Sequence, residues 1–250
     1  PLAAKIRVLI VDGQNNHDWR SSTPHLKKVL EASGRFAVEV VTLPSKGGDM
    51  AAVKPKLDGV AVVPSIYNGD LWPEELRTKL VTFVRNGGGF VSVHAANNAF
   101  AKWPEYNEMI GVGGWGLKAD GSIGARDLTF GPMIRWRDGK IILDSTTPGG
   151  ATHPPRHDFA VTTCTHEHPI MRGLPPVWLH AADEIYSRLR GPAKNVTVLA
   201  TAFADNEKFP GKATGEHEPM LMTITYGKGR VFHTTFGHVN SKEPAPFLAL

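Results

Sequence analysis

The stretch PEELRTKLVTFVRNGGGFVSVHAA, residues 73–96, decides the fold class because it contains a helix followed directly by a strand. Glu74 and Glu75 after Pro73 favour a helix start, since carboxylates are stabilised at the positive end of the helix dipole. The helix has an apolar stripe formed by Leu76, Leu80, Val81 and Val84. Glycines at 87–89 end it, and the apolar residues 90–93 predict a buried strand.

The same alternation of strand and helix continues towards the N-terminus. Apolar, β-branched runs at residues 6–11, 37–42 and 59–63 predict three more strands. Between the first two, we expect a helix with Thr23 as its N-cap and Pro24 as its first residue. The four runs should therefore form a mostly parallel, doubly wound (flavodoxin-like) α/β sheet with helices on both faces.

The second half of the chain reads differently. Residues 195–202 predict another strand, and the runs 219–226 and 229–235 flank Gly227 and Lys228, which favours a hairpin. Residues 100–165 are rich in Gly, Pro and Trp, so we expect a loop-rich insertion with two or three strands over the carboxyl edge of the sheet. No repeat or linker interrupts the sequence, which predicts a single domain over residues 1–250.

Three histidines come directly after strand-like runs, namely His17, His94 and His238. In open α/β sheets, ligands bind outside the carboxyl ends of the strands. Imidazoles gathered there could ligate one divalent metal, and we predict Zn, Mn or Co at these three residues. Taken singly, each would be read as a solvated loop residue, and His238 could also lie on an antiparallel edge, with Glu184 in its place.

Other polar residues are candidates for catalysis or substrate binding. Glu184 and Tyr186 share one face of a strand-like run, since side chains alternate, and a carboxylate beside histidines is a natural general base. We therefore predict catalytic roles for Glu184, His94, Asp183 and Tyr186. For substrate binding, we predict aromatic, amide, imidazole and carboxylate groups on Trp19, Tyr67, Asn97, Trp115, His153, His157, His217 and Glu218.

Composition excludes several classes of partner. The 28 Lys and Arg residues are scattered and the net charge is only +4, which argues against nucleic acid. No run of about 18 apolar residues predicts a membrane span. The glycines at 87–89 precede their strand, so we expect no nucleotide cofactor. A single cysteine, Cys164, rules out an internal disulfide and suits a bacterial cytoplasm or periplasm equally, and a leader could have been removed before Pro1.

Several stretches together resemble the trehalose-utilisation (ThuA-like) family. They are NHDW (16–19), GGGFVSVHAA (87–96), HPI (168–170), GLP (173–175), DEIY (183–186), HEPML (217–221), YGKGRVF (226–232) and GH (237–238). The resemblance implies a fold similar to class I glutamine amidotransferases and a role in the catabolism of disaccharides or other glycosides, with 3-keto sugars as one route. Because His94 stands where those enzymes have their cysteine, the resemblance also implies that the chain does not hydrolyse glutamine.

Two functions remain open at this point. The first is a metal-assisted enzyme that acts on a keto glycoside or disaccharide by proton abstraction, leading to elimination, hydration or isomerisation. The second is a non-catalytic sugar-binding or sensing module, which would need neither metal nor base. Both imply a small carbohydrate as the partner, and either is compatible with a homo-oligomer.

Overall fold

The computed structural model describes residues 4–115 and 130–239. Three α-helices lie in this part of the chain, namely α1 (Trp19–Ala32), α2 (Glu74–Arg85) and α3 (Pro104–Ile110), and a short 3-10 helix, His94–Asn98, follows the fourth strand. The strands are β1 (Ile6–Asp12), β2 (Phe36–Thr42), β3 (Val62–Ser65), β4 (Gly89–Val93), β5 (Met133–Arg137), β6 (Lys140–Asp144), β7 (His157–Thr163), β8 (Val177–Asp183), β9 (Val196–Ala204), β10 (Glu216–Tyr226) and β11 (Gly229–Thr234).

Nine of these strands form one sheet in the order β2-β1-β3-β4-β11-β10-β9-β7-β8. The first five are parallel, which confirms the predicted pairing of the four N-terminal runs. The other four strand pairings are antiparallel, so the sheet is mixed and not mostly parallel. The change of direction comes from the predicted hairpin, in which Gly227 with φ 60° turns β10 into β11.

Helices contact the sheet through alternating residues of β1. Val8 and Ile10 pack with Leu26 and Leu30 of α1. The intervening Leu9 and Val11 share a core with Leu76, Leu80 and Val84 of α2. Since successive side chains of a strand point to opposite faces, α1 and α2 contact opposite faces of β1. Within the described ranges, we find no helix with the length and apolar character needed to cross a bilayer.

The start of α1 differs from the prediction. The helix begins at Trp19, because the Asp18 side chain accepts a hydrogen bond from the backbone N–H of Ser21 and caps it there. Pro24 lies inside the helix instead of opening it. β3 also begins later than predicted, since Gly59 takes φ 72° in a turn that Val60 closes by bonding to the Leu57 carbonyl.

The predicted insertion is only partly separate from the sheet. β5 and β6 form their own two-stranded sheet, as a loop-rich insertion would. β7, however, pairs with β8 and β9, so the C-terminal end of the predicted insertion belongs to the main sheet. Residues 116–129, in the middle of the predicted insertion, lie outside the described residues.

Seven of the nine strands, all except β7 and β10, have their carboxyl ends at the same edge of the main sheet. β1, β4 and β11 run in one direction, because parallel pairings link them through β3. β10 runs the opposite way and β9 returns to the first direction; β7 reverses again and β8 returns again. Backbone N–H groups just after β11 nevertheless bond to Asp183 at the end of β8, although three strands separate the two. These bonds bring the segment after β11 to the end of β8 at the carboxyl edge of the sheet.

Candidate metal centre

His94 stands at a sharp turn directly after β4. Its φ of 48° is rare for a residue with a side chain, and the turn places a buried imidazole, 3% exposed, at the carboxyl edge of the sheet. Nδ1 of His94 lies 2.6 Å from the carbonyl oxygen of Thr235, which can only accept. Nδ1 therefore carries the proton and Nε2 keeps its lone pair, which is the arrangement of a metal-ligating histidine.

His17 and His238 are brought together by two loops that bond to each other. The backbone N–H of His17 donates to Oδ1 of Asn15, which fixes the loop after β1. The next residue, Asp18, donates its backbone N–H to the carbonyl of Val239 in the loop after β11. The ring centroid of His17 consequently lies 4.6 Å from both His94 and His238.

Glu184 completes the group from the end of β8. One of its oxygens, Oε1, lies 3.0 Å from Nδ1 of His238, and the other, Oε2, lies 3.6 Å from Nε2 of His94. The short distance between Nδ1 of His238 and Oε1 of Glu184 shows that the two groups are directed at the same space.

The four side chains His17, His94, Glu184 and His238 each offer one ligand atom within 4.8 Å of the others. Four ligands at about 2.0–2.1 Å from a tetrahedral Zn²⁺ are about 3.3 Å apart, so modest side-chain rotation would close the set. Three imidazoles and one carboxylate are ligands that Zn, Mn and Co accept. The residues present therefore fit a divalent metal.

Electrostatics favour the protonation states that bind a cation. Burial lowers the pKa of His17 to about 3, and the neighbouring His94 and His238 add to this effect. Burial also lowers the pKa of His94, against the pull of Asp183 and Glu184. For Glu184, burial alone would raise the pKa, but the nearby His238 and His94 outweigh it and the net direction is down. Neutral imidazoles beside an ionised carboxylate are the form that a metal requires.

Tyr186 and His153 lie next to the cluster. The Tyr186 hydroxyl is 3.0 Å from Nε2 of His94, and burial raises the pKa of Tyr186 well above its ordinary value, so the hydroxyl keeps its proton and can donate to Nε2 when no metal occupies that lone pair. Nδ1 of His153 lies 3.3 Å from Oε1 of Glu184, and 47% of its side chain is exposed. The structure thus brings His153 from the predicted insertion to the open side of the cluster.

Asp183 lies beside the cluster but is itself fully buried. Its carboxylate accepts hydrogen bonds from the backbone N–H groups of Glu184, Gly237 and His238. Burial alone would raise the pKa of Asp183, but the bond with His180, the nearby His94 and these N–H groups hold it below its ordinary value. The predicted catalytic contact of Asp183 with substrate is corrected, because every bond that it makes is to the protein itself.

Three residues predicted to bind substrate are packed in the interior. Tyr67 and Trp115 are 0% and 2% exposed, and they donate to the carbonyls of Asp70 and Ala99. Neither ring has a face open to a sugar. Asn97 is also 0% exposed, with Nδ2 3.1 Å from Nε2 of His233. For these three, the structure replaces the predicted substrate contact with a packing role.

Other predicted substrate residues lie away from the metal cluster. Nδ1 of His157 bonds to the Pro155 carbonyl and its ring packs on Phe209, while His217 bonds to Thr201 on the sheet. Glu218 is 2% exposed and ion-pairs with Arg135 at 2.8 Å, which corrects the prediction that it binds substrate. Trp19 is half-buried beneath the guanidinium of Arg20, two residues from His17, and its contact with substrate stays a prediction.

Sequence reasoning missed two residues that support the cluster, Thr235 and His180, and a third buried residue, His233, that belongs to the core. Thr235 contributes only its backbone carbonyl, and a backbone group cannot be predicted from a pattern of side chains. His180 bonds to Asp183 and stacks on Phe236, with ring centroids 4.1 Å apart. His233 holds Asn97 and the Ile110 carbonyl within the core. Side chains of a strand alternate between its two faces, and His180 in β8 and His233 in β11 both lie on the buried face. This alternation is the signal that could have placed the two histidines in the interior.

Comparison with known proteins supports the same family as the sequence motifs. The ThuA family model, described as trehalose utilisation, matches residues 7–243. A ThuA-like protein from Parabacteroides merdae is 40% identical, with a TM-score of 0.89, over 98% of this chain and 84% of that one. A ThuA-like protein from Bacteroides uniformis is 17% identical with a TM-score of 0.63, over 99% and 89% of the two chains, and shows the fold alone. The search of curated proteins gave no match.

The family match covers nearly all the residues that form the cluster and its supports, from His17 to His238. The 40% identical relative covers the chain almost completely. The chain therefore belongs to the ThuA family, which is described by its role in trehalose utilisation.

Proposed function

We propose that this protein is a metal-dependent enzyme that acts on a keto sugar derived from a disaccharide or glycoside. The observation that carries the proposal is the convergence of His17, His94, Glu184 and His238 within 4.8 Å. Family membership supplies the carbohydrate context. A divalent cation held by the three imidazoles would keep a coordination position for a carbonyl oxygen and act on it as a Lewis acid, which leaves the Glu184 carboxylate available as a base.

The open side of the cluster defines where a sugar approaches. A cavity of about 30 Å³ adjoins the buried side of His17 and His94, and it has room for about one water molecule, not a sugar ring. On the other side, the His153 ring is half-exposed next to Glu184. A carbonyl group on the substrate would therefore enter past His153, with Trp19 as the flanking aromatic ring.

Proton transfer would use the side chains that face this opening. A keto group makes the adjacent C–H acidic, and the ionised Glu184 carboxylate is positioned to accept that proton. Nδ1 of His153 bonds to the Pro154 carbonyl and therefore carries a proton, so this ring, 3.3 Å from Oε1, would hold the carboxylate in place, and Glu184 would return its proton to the product. Tyr186 keeps its own proton and would serve as a hydrogen-bond donor to a substrate oxygen.

The test combines metal analysis with a turnover screen. Purified protein is treated with chelator, reloaded with Mn²⁺, Co²⁺ or Zn²⁺, and incubated with trehalose, glucosides and their 3-keto derivatives. We expect turnover of a keto substrate only in the presence of metal, and its loss in His94→Ala. His157→Ala is the matched control, because His157 lies outside the cluster. Sugar binding without turnover that survives both metal removal and His94→Ala would instead support a non-catalytic binding module.

A further inference from the structure

The carboxylate of Asp183 is saturated by four donors from the protein. Oδ1 accepts from the backbone N–H groups of Glu184 at 2.8 Å and His238 at 3.1 Å. Oδ2 accepts from the backbone N–H of Gly237 at 2.9 Å and lies 3.2 Å from Nε2 of His180. A carboxylate offers about four lone-pair sites, so none is left over for a substrate or an ion.

These bonds join groups that are far apart in sequence. Glu184 extends from β8, whereas Gly237 and His238 follow β11. The carbonyl of Thr235, two residues before Gly237, holds Nδ1 of His94. Three of the four cluster side chains, His94, Glu184 and His238, are thus tied to the segment 235–238 or to the carboxylate that anchors it.

We infer that Asp183 is a positioning residue, whose carboxylate fixes the backbone of Glu184 and His238 and thereby sets the geometry of the metal-binding cluster. The inference rests on the proposed function, since it assigns Asp183 a role in holding the ligands of that metal. It assigns Asp183 no contact with substrate and no share in proton transfer. Groups that orient metal ligands typically contribute 10–100-fold to metal affinity.

The variant Asp183→Asn tests the role directly. In asparagine, one carboxylate oxygen is replaced by an NH₂ group, which cannot accept a hydrogen bond from an N–H. At least one of the backbone N–H groups of Gly237 and His238 therefore loses its acceptor. We expect Co²⁺ affinity to fall about 10–100-fold and the visible absorption bands of bound Co²⁺ to change shape, because the ligand geometry changes. The matched control is His180→Phe, which removes one donor to the same carboxylate but leaves both loop bonds and the stacking on Phe236.

The control should bind Co²⁺ with nearly wild-type affinity and an unchanged spectrum. Equal losses in Asp183→Asn and His180→Phe would overturn the inference, since they would indicate general loosening of the fold. An unchanged affinity and spectrum in Asp183→Asn would overturn it as well.

A second measurement separates this inference from the proposed function. In the metal-free wild type, the amides of Gly237 and His238 should exchange slowly with solvent although they lie in a loop, and in Asp183→Asn at least one should exchange at an unprotected rate. If the wild type binds no metal but the amides exchange as expected, the proposed metal-dependent function is wrong, and the role of Asp183 in anchoring the loop is supported. Fast exchange in wild type overturns the anchoring whether or not Asp183→Asn folds.

Discussion

At the scale of single residues, burial decides which histidines and carboxylates hold the structure and which are available for chemistry. His233 is fully buried and bonds to the Ile110 carbonyl and to Asn97, so it belongs to the core. Glu218 and Arg135 form a buried pair far from solvent. In contrast, His153 is half-exposed beside a buried carboxylate, so its ring is accessible from solvent.

The pKa of His233 makes stability depend on pH. Burial lowers it from 6.5 to about 4, so between these values the unfolded chain binds a proton that the native state does not. The free energy of unfolding should therefore fall as pH falls from 6.5 to 4, by at most about 1.4 kcal/mol per pH unit for this group. Urea unfolding of metal-free His233→Asn at several pH values should show a shallower dependence than wild type. An identical slope would contradict this assignment.

The Arg135–Glu218 pair predicts a large effect on stability from a residue that sequence reasoning placed in the substrate site. Glu218→Ala leaves a buried guanidinium with only the partly exposed Asp144 as its ionic partner, and should cost about 3–5 kcal/mol. The double variant Arg135→Met with Glu218→Leu removes both charges and should be more stable than Glu218→Ala alone. Chemical denaturation of the three variants measures the difference. Full stability in Glu218→Ala would show that the pair contributes nothing.

At the scale of elements, the N-terminus of α1 lies next to the loop that carries His17. The Asp18 side chain accepts from the backbone N–H of Ser21 at 3.3 Å and from its hydroxyl at 2.6 Å. The residue before this cap is His17 itself. The six residues 13–18 thus connect β1 to α1, supply a cluster side chain and cap the helix.

Removal of the cap should affect stability in a defined way. Asp18→Ala should cost about 1 kcal/mol, whereas Asp18→Asn, which keeps a side-chain acceptor, should lose only a fraction of that. Thermal and urea unfolding in the presence of chelator measure the two variants without any contribution from bound metal. Equal stability of Asp18→Ala and wild type would show that α1 does not depend on this cap.

At the scale of the whole molecule, metal binding should stabilise the fold, because the cluster draws its ligands from loops after four different strands. At a free metal concentration 100 times the Kd, the stabilisation is about 2.7 kcal/mol. For a domain of this size, that raises Tm by about 5–10 °C. Calorimetry with and without Zn²⁺ or Mn²⁺ measures the shift, and His94→Ala should abolish it. An equal shift in His94→Ala would locate the ion elsewhere.

The sequence predicts the parallel half of the fold and the histidines of the cluster well. Both follow from local patterns: apolar runs mark β1 to β4, and strand ends mark His17, His94 and His238. The antiparallel half was less accessible, since whether β7 joins the main sheet depends on its partners β8 and β9 and not on its own residues. Tyr67, Trp115 and Asn97 were misplaced because the sequence around an aromatic or amide residue near a strand end is the same whether its side chain packs into the core or faces a ligand.

The hydrogen bond from Asp18 to Val239 joins two loops that lie more than two hundred positions apart in the sequence. During translation, His17 leaves the ribosome early, and His238 emerges only after β11 has been made. The nascent chain therefore carries an incomplete cluster for nearly the whole of its synthesis. All four cluster side chains come together only after this contact has closed, so a metal ion that needed all of them could bind only to the folded chain.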